Sequence, residues 1–258
     1  FKDCSESVII GEDIEDSNKF YPGSYGGAFK VSRDLSTIFK ERVKNTPISE
    51  AAIVGIGNGL ALNKMKPIVE IMFGDFLTLA FDQILNHSTK FVEMFGRKLS
   101  LPILIRVPMG AKRGYGPTHS QTLENHFLGI RNLDIFAINS RINNDEFVKK
   151  LANDIKKPTL LIENKVLYTK KNNRKLINGF EYLQANFKSH SELIIKPKDD
   201  MPSDLAIICY GELLDDIELV AEELFLNEEI LSTIICLTKI SEPNIDQYFN
   251  FIKDIKNI

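Results

Sequence analysis

Short apolar runs alternate with amphipathic segments along almost the whole chain. Runs rich in β-branched residues and bounded by Gly, Pro or polar residues predict strands at 7–10, 67–73, 101–107, 134–138, 159–162, 205–210 and 231–238. The intervening segments predict helices at 28–43, 76–95, 121–128, 144–155, 213–227 and 244–255, and one more from residue 50 onward. Continuous apolar strands separated by helices are typical of a parallel sheet that is covered on both faces. We therefore expect an α/β fold.

The alternation weakens between residues 169 and 203, where the sequence becomes polar and the segment 197–202 contains two prolines and two aspartates. This change predicts a first domain at 1–168, a linker at 169–203 and a second α/β domain at 204–258. The second domain has two strand–helix units, which are too few to bury a sheet well. We therefore expect it to be incomplete.

The segment that begins at Ser49 carries the first candidate site residue, Glu50. Ser49 is a natural helix N-cap, and Glu50 follows in the first turn, where a negative charge suits the helix dipole. Small and apolar residues follow up to Leu62, so the helix is expected to be buried, and its glycines suggest that something approaches its backbone closely. A carboxylate at the entrance of such a helix is a candidate for proton chemistry, and the alternative is that Glu50 only caps the helix.

A glycine-rich loop from Met109 to Thr118 leads to the second candidate, His119. A histidine next to a hydroxyl and an amide can donate a proton or bind an oxyanion, and the alternative is that it merely closes the loop. The segment 73–76 and this loop both follow predicted strands. Because ligands of parallel sheets bind outside the carboxyl ends of the strands, both segments are expected to line one site.

The composition excludes some classes of function. With a net charge of −3 the chain lacks the excess of basic residues that is typical of nucleic-acid-binding proteins. Its densest basic stretch, 170–175, is typical of a solvated linker. No apolar run has membrane-spanning length. The three cysteines have no disulfide or zinc spacing, which favours a reducing compartment. We expect a cytoplasmic protein, with an organellar matrix as the open alternative because the chain starts at Phe1 and its natural N-terminus is expected to be missing.

Six segments occur in a fixed order along the chain: Gly11-Glu-Asp-Ile14, Tyr25-Gly-Gly-Ala-Phe-Lys-Val31, Thr46-Pro-Ile-Ser-Glu50, Lys66-Pro-Ile-Val-Glu-Ile71, Ala80-Phe-Asp-Gln83 and His119-Ser-Gln121. Together they resemble one family, the β subunit of the thiamine-diphosphate-dependent decarboxylating component of 2-oxo acid dehydrogenases of the pyruvate or branched-chain type. The resemblance covers about residues 8–168, and Cys209–Leu213 is similar to the start of the family's C-terminal domain. It implies a three-layer, pyrimidine-type thiamine-diphosphate-binding domain with a parallel sheet, followed by part of a transketolase C-terminal-like α/β domain.

The resemblance also implies roles for single residues. Glu50 matches the glutamate that hydrogen-bonds the N1′ nitrogen of the cofactor's aminopyrimidine and favours its imino form. Phe76 matches the aromatic residue that packs against the pyrimidine, and Ile48 and Met72 match neighbouring cofactor contacts. His119 matches the histidine that faces the substrate or the acyl acceptor. The implied catalytic residues are thus Glu50 and His119, and the implied cofactor contacts are Ile48, Glu50, Met72 and Phe76.

The sequence lacks the Gly-Asp-Gly run with which thiamine enzymes of this kind hold Mg²⁺ on the diphosphate, so no metal ligand is assigned here. The resemblance implies that an α subunit supplies those ligands, in an α₂β₂ heterotetramer that is active only when both chains are present. A lipoyl-bearing acyltransferase is a further implied partner, and no nucleic acid or membrane is expected as one.

Some positions depart from the family pattern. Leu128 and Gly129 stand where many members have a second histidine, and Met72 replaces a frequent glutamine. These departures leave an alternative open, a two-chain transketolase-like thiamine enzyme of a specialised sugar or secondary pathway. The basic loop residues Lys112 and Arg113 would suit an anionic substrate of such an enzyme. The main expectation is decarboxylation of a 2-oxo acid and transfer of the acyl group to lipoamide.

Overall fold

The computed structural model describes residues 1–2, 4–16, 25–95, 99–170, 175–186, 191–243 and 245–258. The described residues form two compact units, one made of Phe1–Ile135 and Asp145–Tyr168 and the other of Phe136–Asn144 and Thr169–Ile258. Most of the basic stretch 170–175 lies outside the described residues.

The first unit is built on a six-stranded sheet in the order β2-β1-β3-β4-β6-β5. The strands are β1 (Ser7–Gly11), β2 (Val43–Asn45), β3 (Lys66–Glu70), β4 (Leu104–Met109), β5 (Asp134–Ala137) and β6 (Thr159–Asn164). The pairs β1–β2, β1–β3, β3–β4 and β4–β6 are parallel. Strands β4 and β6 are buried along their whole length, as the apolar runs predict, and the expectation of an α/β fold with a parallel sheet is confirmed.

The helices of the first unit are α1 (Leu35–Ile38), α2 (Glu50–Leu62), α3 (Phe91–Met94) and α4 (Asn144–Asp154). Helix α2 packs against β3, and a Cβ atom on Gly57 would lie 2.5 Å from Val69 and 2.8 Å from Ile103. Glycine is therefore required where the helix crosses the sheet. The opposite face of α2, which includes Ala52, Ile56 and Gly59, is exposed in this chain, so the prediction that the whole helix is buried is wrong.

Two predicted helices of this unit are also wrong. The segment 28–43 contains only α1, a 3-10 turn at Lys40–Arg42 and the start of β2, because Lys30 and Asp34 have positive φ values of 63° and 69° that a right-handed helix cannot accommodate. The segment 76–95 is divided into a 3-10 helix (Gly74–Ala80), a π-helix (Gln83–Ser88) and α3.

The π-helix is associated with side-chain hydrogen bonds, two of which involve Asn58 on α2. The Ser88 hydroxyl lies 2.7 Å from the Asn58 side-chain oxygen and 3.0 Å from the carbonyl oxygen of Gln83, and that carbonyl accepts the Asn58 amide at 3.4 Å. These side-chain bonds compete with regular α-helical ones. The predicted helix at 121–128 shortens likewise to a 3-10 turn at Glu124–His126.

The second unit contains a four-stranded sheet in the order β7-β8-β10-β9. Its strands are β7 (Phe180–Asn186), β8 (Ser191–Pro197), β9 (Leu205–Tyr210) and β10 (Ser232–Leu237), and its helices are α5 (Leu213–Glu228) and α6 (Phe249–Ile252). Strands β9 and β10 are parallel, whereas β8 is antiparallel to both β7 and β10. Strands β7 and β8 lie within the range expected to be a linker, so that range contributes half of the sheet. The predicted helix at 244–255 is reduced to a 3-10 turn (Ile245–Gln247) and α6, and residue 244 lies outside the described part.

Candidate active site

The parallel strands of the first unit end at a common edge of the sheet, and the segments that follow them carry the candidate residues. The segment after β3 contains Met72 and Phe76, and the segment after β4 is the glycine-rich loop that ends at His119. Because parallel strands share one direction, their carboxyl-end loops gather at one edge. This placement confirms that both loops follow strands of one sheet.

Glu50 begins α2. The Ser49 backbone is extended, and its Oγ accepts the backbone N–H of Ala52 at 3.4 Å, so Ser49 is the N-cap that the sequence predicts. The Glu50 side chain is buried, with 7% of its surface exposed, and has no hydrogen-bond partner among the described residues. Its carboxylate oxygens are not among the enclosed polar atoms of the described residues, so the carboxylate remains open to a ligand at the start of α2.

A second carboxyl group, that of Glu12, interacts electrostatically with Glu50. Burial, and then the negative charges of Asp13 and Glu50, raise the pKa of Glu12. Electrostatic coupling of Glu12 to Glu50 indicates that the segment after β1 approaches the start of α2. Glu12 lies within the family-like segment Gly11–Ile14, but its role is not predictable from the sequence, since only the folded chain brings the two carboxyl groups near each other.

His119 lies between aromatic rings. Its ring centroid is 4.7 Å from that of Phe73 and 5.2 Å from that of Phe76, with both rings edge-on. Its Nδ1 is 3.0 Å from the Thr118 hydroxyl, which leaves Nε2 without a partner among the described residues. The structure therefore brings the predicted residues Phe76 and His119 into contact, and it leaves one imidazole nitrogen able to exchange a proton.

The aromatic wall extends beyond the predicted residues. Phe73 and Phe29 contact each other and both contact Tyr115, with centroid distances of 5.4–6.0 Å, and Phe29 also contacts Tyr168 at 5.3 Å. Lys165 lies beneath this wall, with its Nζ 5.2 Å from the Phe73 centroid. Lys165 is not predictable as a site residue from the sequence, because a lysine just after a strand normally predicts an exposed position.

A buried ionic network joins the end of β3 to the middle of β4 and to the last residues of β6. The Arg106 guanidinium donates from Nε to Glu163 at 3.0 Å and from Nη2 to the Tyr168 hydroxyl at 3.0 Å, and it also binds Glu70 and Glu163 through its terminal nitrogens. Burial raises the pKa of Glu70, although Arg106 opposes that rise. The two flanking carboxylates raise the pKa of Arg106 against the effect of its own burial. This network links β3, β4 and β6, and through Tyr168, which contacts Phe29, it reaches the aromatic wall.

The other predicted cofactor contacts differ in exposure. Ile48 is 77% exposed, and Met72 and Phe76 are half-buried. Within the described ranges no hydrogen bond, ion pair or ring contact joins Glu50 to His119, so the structure groups the predicted residues into two parts, one at the start of α2 and one around His119. Lys112 and Arg113 are exposed on the loop.

Among the residues that the structure describes, no group of three or more His, Cys, Asp or Glu side chains is arranged to hold a metal ion. No helix of that part of the chain has the length and apolarity to cross a membrane.

Comparison with known proteins identifies the family. The profile of the transketolase pyrimidine-binding domain matches residues 1–171, which include the whole candidate site. The chain belongs to the transketolase pyrimidine-binding domain family. The matched range ends close to Tyr168, where the first compact unit of this transketolase-type chain also ends.

Curated relatives carry a consistent name and confirm the resemblance noted in the sequence. The chain is 35% identical over 206 residues to the pyruvate dehydrogenase E1 component subunit beta of Porphyra purpurea, covering 80% of this chain and 56% of the relative. It is 31% identical over 224 residues to the protein of the same name from Cyanidium caldarium, covering 86% of this chain and 63% of the relative. A relative from Oryza sativa subsp. japonica, 36% identical over 63% of this chain and 40% of the relative, is named as chloroplastic. The chain thus spans roughly half of the length of the curated relatives it matches.

A solved structure supports the fold. The chain superposes with a TM-score of 0.60 and 18% identity on a structure titled split gene transketolase, inactive beta4 tetramer, covering 92% of this chain and 66% of that one. At this identity the likeness shows the fold alone. It confirms the transketolase-like architecture.

Proposed function

We propose that this chain is the β subunit of a thiamine-diphosphate-dependent 2-oxo acid dehydrogenase and that Glu50 is the residue that activates the cofactor. The observation that carries the proposal is the placement of Glu50 in the first turn of α2, where the residue is 7% exposed and its carboxylate has no hydrogen-bond partner among the described residues. A protonated ring nitrogen of the aminopyrimidine is the kind of partner such a group requires. The names of the curated relatives support the same reading.

The described residues include candidate contacts for the aminopyrimidine half of the cofactor and none assigned to its diphosphate half. Glu50 would accept the proton shared with N1′ of the pyrimidine, and Phe76 would pack against that ring, with Ile48 and Met72 beside it. When bound, thiamine diphosphate supplies the electron sink that decarboxylation of a 2-oxo acid needs. The aromatic wall around His119 would exclude water, and Nε2 of His119 would exchange a proton with the substrate or the acceptor.

The diphosphate half of the cofactor is assigned to an α subunit. No cluster of metal-ligating side chains lies within the described ranges of this chain, so we propose that the partner supplies the Mg²⁺ ligands. The exposed apolar residues Ile48 and Ile56, which are 77% and 47% exposed, flank Glu50 and would be covered by that partner. The arrangement proposed is an α₂β₂ heterotetramer with the cofactor between unlike chains.

In the complete reaction the 2-oxo acid would lose CO₂, and the acyl group would pass to one sulfur of a lipoyl disulfide while the other sulfur takes up a proton. The substrate is thereby oxidised by two electrons and the disulfide is reduced to the acylated dithiol. A lipoyl-bearing acyltransferase is accordingly the second proposed partner. Pyruvate is the first substrate to test, in view of the names that the relatives bear.

Substitution of Glu50 tests the proposal. Glu50→Gln removes the proton acceptor but keeps the size of the side chain, so decarboxylation of pyruvate by the complex of this chain with its α partner is expected to fall by about 10²–10⁴-fold. Glu41→Gln, which removes a carboxylate that is 83% exposed, is the matched control and is expected to retain normal turnover. Near-normal turnover of Glu50→Gln would refute the role. Turnover of a ketose phosphate without turnover of any 2-oxo acid would instead support the transketolase-like alternative.

A further inference from the structure

Lys165 is a buried cation next to the candidate active site. It follows β6 directly, and its residue surface is 0% exposed. Burial lowers the pKa of Lys165, the negative charge of Asp75 opposes this effect, and the positive charge of Arg113 adds to it. Because burying an ammonium group is costly, its retention here requires compensating contacts.

Besides the charge of Asp75, the compensating contacts are with the main chain at His119 and with the aromatic wall. The Nζ of Lys165 donates a hydrogen bond to the backbone carbonyl of His119 at 2.6 Å. The same nitrogen lies 5.2 Å from the Phe73 ring centroid and 5.8 Å from that of Tyr115, within the range of cation–π attraction. A charge-assisted bond to a carbonyl is stronger than a neutral one, so Lys165 holds the main chain at His119 firmly.

The rest of the loop is held at its base and through the ring of Tyr115, which packs against Phe29 and Phe73. The Gly110 N–H donates to the Gln121 carbonyl at 3.2 Å, and the Gln121 amide donates to Asp75 at 2.7 Å. The intervening residues 111–118 are exposed, and Gly114 and Gly116 have open space around their backbones. The bond from Lys165 links the main chain of His119 to the residue that follows β6, in addition to the ring contacts with Phe73 and Phe76.

We propose that Lys165 is a positioning residue that fixes His119 against the aromatic wall through its bond to the His119 carbonyl. This inference deepens the proposed function and rests on it for the catalytic consequence, whereas the restraint of the loop stands on the geometry alone. With its main chain held in this way, His119 keeps its Nε2 atom in a constant position relative to the rings of Phe73 and Phe76. Removal of the cation is expected to loosen the main chain around His119 without altering the remainder of the sheet.

Hydrogen exchange measures the restraint directly and needs no activity. In Lys165→Met, amide exchange of peptides within 110–121 is expected to be about 10- to 100-fold faster than in the unmodified chain, the factor that the loss of one charged hydrogen bond gives. Lys66→Met is the matched control, because Lys66 Nζ also donates to a backbone carbonyl, that of Asn153, at 3.1 Å. It should leave exchange within 110–121 unchanged. Lys165→Gln, whose shorter and neutral side chain falls short of the carbonyl, gives the same test if the methionine variant does not fold.

A double-mutant cycle measures the catalytic consequence. In the complex with the α partner, Lys165→Met is expected to slow acyl transfer about tenfold when His119 is present and to have no further effect in a His119→Ala background. The inference would be overturned if amide exchange within 110–121 were the same in Lys165→Met as in the unmodified chain. It would also be overturned if Lys165→Met slowed acyl transfer by the same factor with and without His119. If the unmodified complex has no thiamine-dependent activity, the proposed function fails while the exchange experiment still decides whether Lys165 restrains the loop.

Discussion

Replacement of Arg106 by methionine is expected to destabilise the first unit strongly. The Arg106 guanidinium is 7% exposed and lies between the carboxylates of Glu70 and Glu163, which are 4% and 7% exposed. Methionine fills a similar length of space but cannot donate any of the hydrogen bonds that Arg106 makes. Two buried carboxylates and the Tyr168 hydroxyl would then lose a shared partner.

The magnitude follows from the burial of the network. Removal of one partner from a buried ion pair costs about 3–5 kcal/mol, because it leaves an uncompensated charge. A typical domain has a free energy of unfolding of about 5–15 kcal/mol, so this loss is a large part of the total. Lys44→Met breaks an exposed ion pair with Glu41 at 3.6 Å, and as the control it should change stability by less than about 0.5 kcal/mol.

Urea unfolding followed by circular dichroism measures both variants, and its pH dependence adds a second test. Arg106 lowers the pKa of Glu70, which burial raises, so the pKa of Glu70 should rise further in Arg106→Met. The folded variant then binds a proton at pH values where the unfolded chain is ionised, and acidification through that window stabilises it. The destabilisation should thus be smaller at about pH 5.5 than at about pH 8. A loss below about 1 kcal/mol at both pH values would refute the reasoning.

Two further predictions concern the loop. His119→Ala should reduce transfer of the acyl group to lipoamide more than it reduces decarboxylation measured with an artificial electron acceptor, and equal losses would indicate general positioning. Gly110→Ala should lower stability by about 1–3 kcal/mol, since Gly110 has a φ of +92° and a Cβ atom there would lie 2.2 Å from the Asn164 amide nitrogen. Gly114→Ala, at a φ of +77° with open space around it, should cost less stability when both variants are compared by urea unfolding.

The sequence predicts the elements whose pattern is set locally. Strand β9 was expected at 205–210 and is found there, and α4 and α5 each differ from their predicted ranges by one residue at the C-terminus. Both helices have an apolar stripe, and the strand is bounded by clear turn signals. Ser49 as the N-cap and Glu50 in the first turn were likewise predictable, because capping depends on neighbouring residues.

The wrong predictions depend on contacts between distant residues. The break at Gln83 needs Asn58, which lies on another helix. Strands β7 and β8 have mixed polar and apolar faces, and it is the pairing of β8 with β10 that makes them part of a sheet. Lys165 becomes a site residue only when the carbonyl of His119 reaches it. Such contacts have no signal in a single sequence, since nothing local distinguishes a buried lysine from an exposed one.

Isothermal titration calorimetry of thiamine diphosphate with Mg²⁺ tests the central claim most directly. The titrations use this chain alone, this chain with its α partner, and the Glu50→Gln variant with the same partner. The account predicts no binding to the chain alone, binding to the complex, and weaker binding to the variant complex. Tight binding to the chain alone would contradict it, because the cofactor would then not need a second subunit to hold its diphosphate.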